Sequence, residues 1–296
     1  HLENWAPISG LVTRNASNWC IAAASAPAWA AKIFPDLEPE EAEEKLGQAN
    51  FEITRATAPD PVAAWDEHIK NLRKRASYLQ AKKYSALHYR AASLADKSDK
   101  TDFTLGLPNG HKWISAQSLA ENGIAFTANM PTEEVFTLPD RHRADGVVTS
   151  TFPLSYGGSL IEDFSVTFEN GRIVKVTAKK NEAILQKLVD TDEGSTRLGE
   201  VALVPASSPI AQRGHLFYNT LFDENASCHI AIGRGYRFTL TGGEELTDEE
   251  FNAAGGNTSL THVDFMIGSP QMDIDGIKED GTREPVMRQG EWAFDV

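Results

Sequence analysis

Apolar positions fall into two styles along the chain. Up to about Lys112, strand-like and helix-like stretches alternate. The apolar run Trp19 to Ala24 predicts a short buried strand, and Glu38 to Gln48 predicts a helix with Pro39 near its first turn, where a missing N–H is harmless. Asp60 to Ala81 predicts a longer helix, opened by Pro61, with Val62, Trp65, Ile69, Leu72 and Leu79 at roughly helical spacing. Leu87 to Ala91 and Asp102 to Leu107 predict strands. This is α/β text, for which mostly parallel pairing is expected.

After Gly110 the pattern turns to strands separated by Gly and Asn turns. Phe164 to Glu169, then Asn170-Gly171, then Arg172 to Thr177 predicts a hairpin, because Asn-Gly suits a type I′ turn. A helix is expected over Asn181 to Thr191. Apolar strands are expected over Leu198 to Val204, Ser227 to Ile232 and Thr261 to Ile267. The second half is therefore α+β and largely antiparallel, without an internal repeat. A division into residues 1–112 and 113–296 follows.

Three of these apolar runs carry ionisable residues where a plain core strand has none. Glu200 interrupts Leu-Gly-Glu-Val-Ala-Leu-Val; desolvating a lone carboxylate costs several kcal/mol, so it lies at a strand end, is paired, or binds a metal. His262 and Asp264 are two residues apart, so their side chains leave one face of the strand while Val263 and Phe265 point to a core. They form either a hydrogen-bonded pair or two ligands of one site. Glu224 and His229 flank the entry to another strand. Tyr236 sits in Gly-Arg-Gly-Tyr, where glycines allow a tight turn that presents the phenol; packing is the plainer role. Glu133 and Glu134 precede Val135 and Phe136 as an adjacent carboxylate pair. Together these are four glutamates, two histidines and an aspartate, a mixture suited to Zn²⁺, Co²⁺ or Mn²⁺ more than Ca²⁺ or Mg²⁺. They exceed the needs of one tetrahedral zinc, and two bridged ions would use them.

Composition narrows the alternatives. The 296 residues are 41% hydrophobic, enough for one large domain or two ordinary ones. A net charge of −14, with acids in runs such as Glu38 to Glu44 and Glu244 to Glu250, argues against nucleic acid as partner. Those runs are a solvated surface. Cys20 and Cys228 have no framework spacing, so no disulfide is expected and a reducing, cytoplasmic compartment fits. No stretch is long enough for a membrane span, and Ile21 to Ala31 is too short and interrupted for a signal core. The Asn-x-Ser matches at Asn15, Asn225 and Asn257 are read as chance. His68 and His88 lie in helical and strand contexts without nearby carboxylate ligands and are read as surface or core residues.

Four blocks make a resemblance. Pro131 to Asp140, Leu198 to Val204, Leu221 to Ala226 and Thr261 to Gly268 are similar, in order, to the motifs of the thermophilic aminopeptidase family, also called the aminopeptidase T family. The resemblance implies a metalloaminopeptidase that removes N-terminal residues from peptides with a water activated by two metal ions. It places the family's metal-binding glutamates on Glu134, Glu200 and Glu224, its histidines on His229 and His262, its aspartate on Asp264, and its active-site tyrosine on Tyr236, the donor to a tetrahedral oxyanion. Glu133 competes with Glu134 for the first position, since a slip of one residue turns the side chain to the other face. Glu200, in the most apolar surroundings, is the candidate bridge or base. On this reading 113–296 is the catalytic metal-binding domain and 1–112 is the remainder of an N-terminal α/β domain, supplying scaffold or subunit contact. A further N-terminal stretch, absent before His1, and a homodimer are expected from the same resemblance. The competing readings are a dinuclear amidase or phosphoesterase, for which no glycine-rich phosphate loop is found, and an inactive metal-stabilised domain.

Overall fold

A computed structural model describes residues 15–91 and 101–296; the opening residues, His1 among them, lie outside the described part. Three helices come first: α1 (Pro27–Ile33), α2 (Pro39–Ile53) and α3 (Pro61–Lys82). Each begins with proline, which forfeits an N–H that has no partner in a first turn anyway. The helix α2 buries Ala42, Leu46, Ala49 and Ile53 on one face, against α1 and the segment carrying Phe217 and Phe222. In α3 the Asp60 carboxylate caps the first turn by accepting from the Ala63 N–H at 3.0 Å. Leu72, Ala76 and Leu79 of α3 enter the main core, whereas Val62 is 72% exposed.

The expected strands near residues 87 and 102 form, as Ala86–Ala91 and Thr101–Gly106, but they pair antiparallel with each other. The expectation of parallel pairing fails there for a simple reason. The connection between them is too short for a crossover, which takes about a dozen residues or more. Among the described residues the parallel pair is Ile21–Ala22 with Asn129–Met130, and the first of these is exposed, not the buried strand expected over Trp19 to Ala24.

Ala86–Ala91 and Thr101–Gly106 sit in the middle of a nine-stranded sheet, flanked by Ala144–Thr149 on one side and Asp273–Ile277 on the other. The hairpin Ser159–Glu169 and Arg172–Lys180 forms one end of it, with Asn170 and Gly171 at φ 50° and 80° as a type I′ turn requires. Sheet and core both cross the division expected after Lys112.

A second sheet has four antiparallel strands: β1 (Val135–Thr137), β2 (Leu198–Leu203), β3 (His229–Gly233) and β4 (His262–Met266), in the spatial order β4-β3-β2-β1. Val201, Ile230, Ile232 and Phe265 are fully buried on its back face, with the Phe265 ring 5.3 Å from that of Phe164. Both cysteines are free, and Asn225 and Asn257 are fully buried. Among the described residues no helix is long and apolar enough to cross a membrane.

Candidate metal centre

Register places the charged residues of the second sheet in one row. Glu200 lies opposite Ala231, and Ala231 lies opposite Asp264; two residues along each strand pair, Ala202 faces His229 and Gly233 faces His262. By the two-residue alternation of strands, Glu200, His229, Ala231, Gly233, His262 and Asp264 share the face opposite the aliphatic core. Ala231 and Gly233 are small, which leaves room between the functional side chains. Phe136 pairs with Ala202 and so belongs to the same face, as does Glu134 two residues before it.

Glu133 and Glu134 point to opposite sides of the chain. Glu134 Oε2 lies 3.1 Å from His229 Nε2, while Glu133 turns the other way to Arg55. Glu200 spans both histidines, with Oε1 3.7 Å from His229 Nε2 and Oε2 3.7 Å from His262 Nε2. His262 Nε2 is also 3.6 Å from Asp264 Oδ1. Glu134, Glu200 and His229 each offer a ligand atom within 4.8 Å of the others. Glu224, at the start of the turn Glu224–Ala226, lines the same cavity of about 290 Å³ with Glu134, Glu200, Tyr236, His262 and Asp264. Glu134, Glu200, Glu224, His229, Tyr236, His262 and Asp264 thus lie together, and Glu133 does not.

Both imidazoles are oriented through their other nitrogen. His229 Nδ1 donates to the Ser227 carbonyl at 3.1 Å and His262 Nδ1 to the Arg234 carbonyl at 2.6 Å. Each Nε2 therefore faces the carboxylates, where a proton or a cation must sit between nitrogen and oxygen. Glu134 Oε2 and Asp264 Oδ1 are buried, the first against His229 Nε2 and the second against His262 Nε2. Buried carboxylates set against imidazole nitrogens are a divalent-metal donor set. The residues present fit a metal ion.

The electrostatics agree. Burial lifts the Glu200 carboxyl to about 7, with the His229 contact opposing and the charge of Asp264 adding. Glu224 is raised well above the ordinary range by burial and then by Asp264 and Glu134. Burial works against charging His262, yet the Asp264 carboxylate prevails and lifts it to about 9. Buried negative charge of this density calls for a compensating cation.

Four features escaped the sequence reading. Gly199 is the bulge residue of β2, where the register with β3 shifts between Leu198 and Glu200, and an added Cβ there would strike the backbone of Arg234 and Gly233. A glycine inside an apolar strand was a legible sign. Trp19, Ile114, Phe136 and Phe238 wall the cavity beyond the charged cluster, and nothing in the sequence links them. His68 does have a carboxylate nearby, 3.7 Å from Glu133 Oε2, and His88 is 2.8 Å from Asp102 Oδ1. Both correct the reading of these histidines as lacking acidic neighbours: the first partner lies 65 residues away in sequence, and the second was hidden across a strand pair.

A buried carboxylate–imidazole cluster at the end of a cavity, held on an antiparallel sheet, defines a metalloenzyme. The chain belongs to the thermophilic metalloprotease (M29) family, whose sequence model matches residues 4–292, and it is accordingly a metallopeptidase, a hydrolase. It is 53% identical to aminopeptidase AmpS of Bacillus subtilis (strain 168) over 94% of its own length and 66% of that protein's. Its structure superposes on wild-type AmpT from Thermus thermophilus with a TM-score of 0.90 at 45% identity, covering 99% of this chain and 69% of the other. The chain thus spans about two thirds of the length of these relatives. A 2,5-dihydroxypyridine dioxygenase from Pseudomonas putida KT2440 is similar with a TM-score of 0.52 at 15% identity, a likeness of fold alone.

Proposed function

We propose that this protein is a metal-dependent aminopeptidase whose Glu134, Glu200, Glu224, His229, His262 and Asp264 hold two divalent ions, Zn²⁺, Co²⁺ or Mn²⁺, and whose substrates are peptides with a free N-terminus. The observation that carries the reading is the buried row in which Glu134 Oε2 lies 3.1 Å from His229 Nε2, Asp264 Oδ1 lies 3.6 Å from His262 Nε2, and Glu200 reaches both imidazoles. A bridging carboxylate between two half-sites is what a two-ion centre needs, and relatives named aminopeptidases support the choice of substrate. The bound ions would supply a more acidic water and a polarised peptide carbonyl.

The protein's own groups do the rest. The negative charge of the cluster itself favours a substrate with a free amine, which restricts the site to chain ends. Glu200 or Glu224, both with raised pKa, is suited to take a proton from the nucleophile and pass it to the leaving amine. Tyr236, whose ring lies 4.8 Å from that of His262, donates its phenol proton toward the developing oxyanion; burial holds that phenol firmly protonated. Phe136, Tyr236 and Phe238 form an aromatic wall, with Tyr236 and Phe238 stacked at 5.3 Å, that receives the side chain of the N-terminal residue. A homodimer in the cytoplasm remains part of the proposal.

The test is metal analysis of the protein followed by hydrolysis of an aminoacyl chromogenic substrate and of its Nα-acetylated form. The reading expects about two equivalents of metal, activity lost on chelation and restored by a single added metal, and no hydrolysis of the acetylated substrate. Metal binding with equal cleavage of both substrates would overturn it.

A further inference from the structure

The charged residues around Glu133 belong to no step above. Glu133 is buried beside the proposed ligand Glu134 but points away from it, into the helical layer. There Arg55 Nη2 donates to Glu133 Oε2 at 3.0 Å, and Arg55 Nη1 lies 2.7 Å from Oε1. The same Nη2 is 3.1 Å from His68 Nδ1, and His68 Nε2 is 2.7 Å from the Thr132 carbonyl. One tautomer satisfies both contacts: Nε2–H donates to Thr132 and Nδ1 accepts from Arg55. The backbone N–H of Glu133 donates to Asn225 Oδ1 at 2.7 Å, and Asn225 follows Glu224 in sequence. Side chain, carbonyl and N–H of residues 132 and 133 are thus all held, immediately before Glu134.

Arg55 itself stands where glycine is usual. It follows α2 with φ 61°, and the Ala56 N–H closes back onto the Phe51 carbonyl at 2.8 Å, the geometry of a left-handed helix terminus. A side chain kept in that backbone conformation, its guanidinium 5.4 Å from the Trp65 ring and against Glu133, is aimed at the metal-bearing loop.

We infer that Arg55 and Glu133, with His68, are positioning residues that fix the Glu134 carboxylate for metal binding, so that the helical layer α2–α3 sets the affinity of a centre to which it contributes no ligand. The inference rests on the metal-site reading above. A buried ion pair is rigid because separating it leaves an uncompensated charge, and the loop between it and β1 is one residue long. Holding Glu133 therefore fixes the backbone from which the Glu134 side chain reaches the cluster.

The experiment measures affinity of the metal-free protein for Co²⁺ and Zn²⁺ by competition with a chromophoric chelator, together with the Co²⁺ visible spectrum and urea stability. The variants are Glu134→Gln, Glu133→Gln, Arg55→Gln and the Arg55→Gln/Glu133→Gln double variant. Arg213→Gln, which breaks a separate 2.5 Å ion pair from α2 at Glu52, is the control. Glu133→Gln and Arg55→Gln are each expected to weaken metal binding by about 10–100-fold, as loss of a ligand's support does, and to alter the spectrum, with the double variant no worse than either. Arg213→Gln is expected to change stability alone. Wild-type-like affinity in Glu133→Gln, beside a weakened Glu134→Gln, overturns the inference, as does equal weakening in Arg213→Gln. If Glu134→Gln also binds as wild type, the ligand assignment fails instead. Glu133→Gln is nearly isosteric, so the test stands even if Arg55→Gln does not fold.

Discussion

His262 donates its Nδ1 proton to the backbone carbonyl of Arg234 at 2.6 Å, and that same carbonyl lies against Gly199. A methyl group at 199 would push the carbonyl away and release the imidazole from its orientation. Gly199→Ala is expected to destabilise the fold by about 1–3 kcal/mol through overpacking and to lower metal content as well. Urea midpoints and metal analysis on one preparation check both, and unchanged metal content would contradict the account of His262.

Tyr236 separates catalysis from metal binding. Tyr236→Phe removes a donor that acts in the transition state and leaves the carboxylates and imidazoles in place. A loss of about 2.7–4 kcal/mol is expected, a hundred- to thousand-fold in kcat with little change in KM. Steady-state kinetics with metal stoichiometry decide the matter; near-neutral behaviour would return Tyr236 to a packing role beside Phe238.

Glu200→Gln keeps the shape of the side chain and removes its charge. Glu200 reaches both histidines, so metal content is expected to fall by more than one equivalent, and activity to vanish. Retention of full metal content would show that the bridge lies elsewhere.

The back of the sheet carries its stability. Phe265 is fully buried against Phe164, and Phe265→Ala is expected to cost about 3–5 kcal/mol. Chemical denaturation measures it. A cost under about 1 kcal/mol would mean that β4 is not held by this contact.

Acid sensitivity has an identifiable contributor far from the metal centre. Contacts from Lys278 at 2.5 Å and Lys82 at 2.7 Å, with Tyr84 donating at 3.0 Å, hold the Glu284 carboxyl down to about 2. A depressed folded-state value means that this stabilisation is full above the ordinary Glu value near 4.5 and disappears as pH falls through about 2. Glu284→Gln is therefore expected to be less stable at neutral pH and to show a shallower stability slope between about pH 4.5 and 2. Urea midpoints across that range test it; parallel slopes for both proteins would reject it.

Much of this was readable from the chain alone, because it depends on short-range pattern. Two-residue alternation put His262 and Asp264 on one face with Phe265 behind them, Asn170-Gly171 dictated its turn, and Pro61 with Asp60 marked the start of α3. The acids and histidines in apolar runs stood out because an unpaired buried charge is too costly to be accidental. Tertiary structure decided what depends on contacts between distant segments. Pairing direction was such a matter, since Ala86–Ala91 and Thr101–Gly106 take an antiparallel arrangement through a connection too short for any crossover. So was the direction of Glu133 and Glu134, identical in type and adjacent in sequence, which turn to Arg55 on one side and His229 on the other. Local sequence fixes which way a side chain alternates, but only the packed neighbours fix which side of the chain becomes the site.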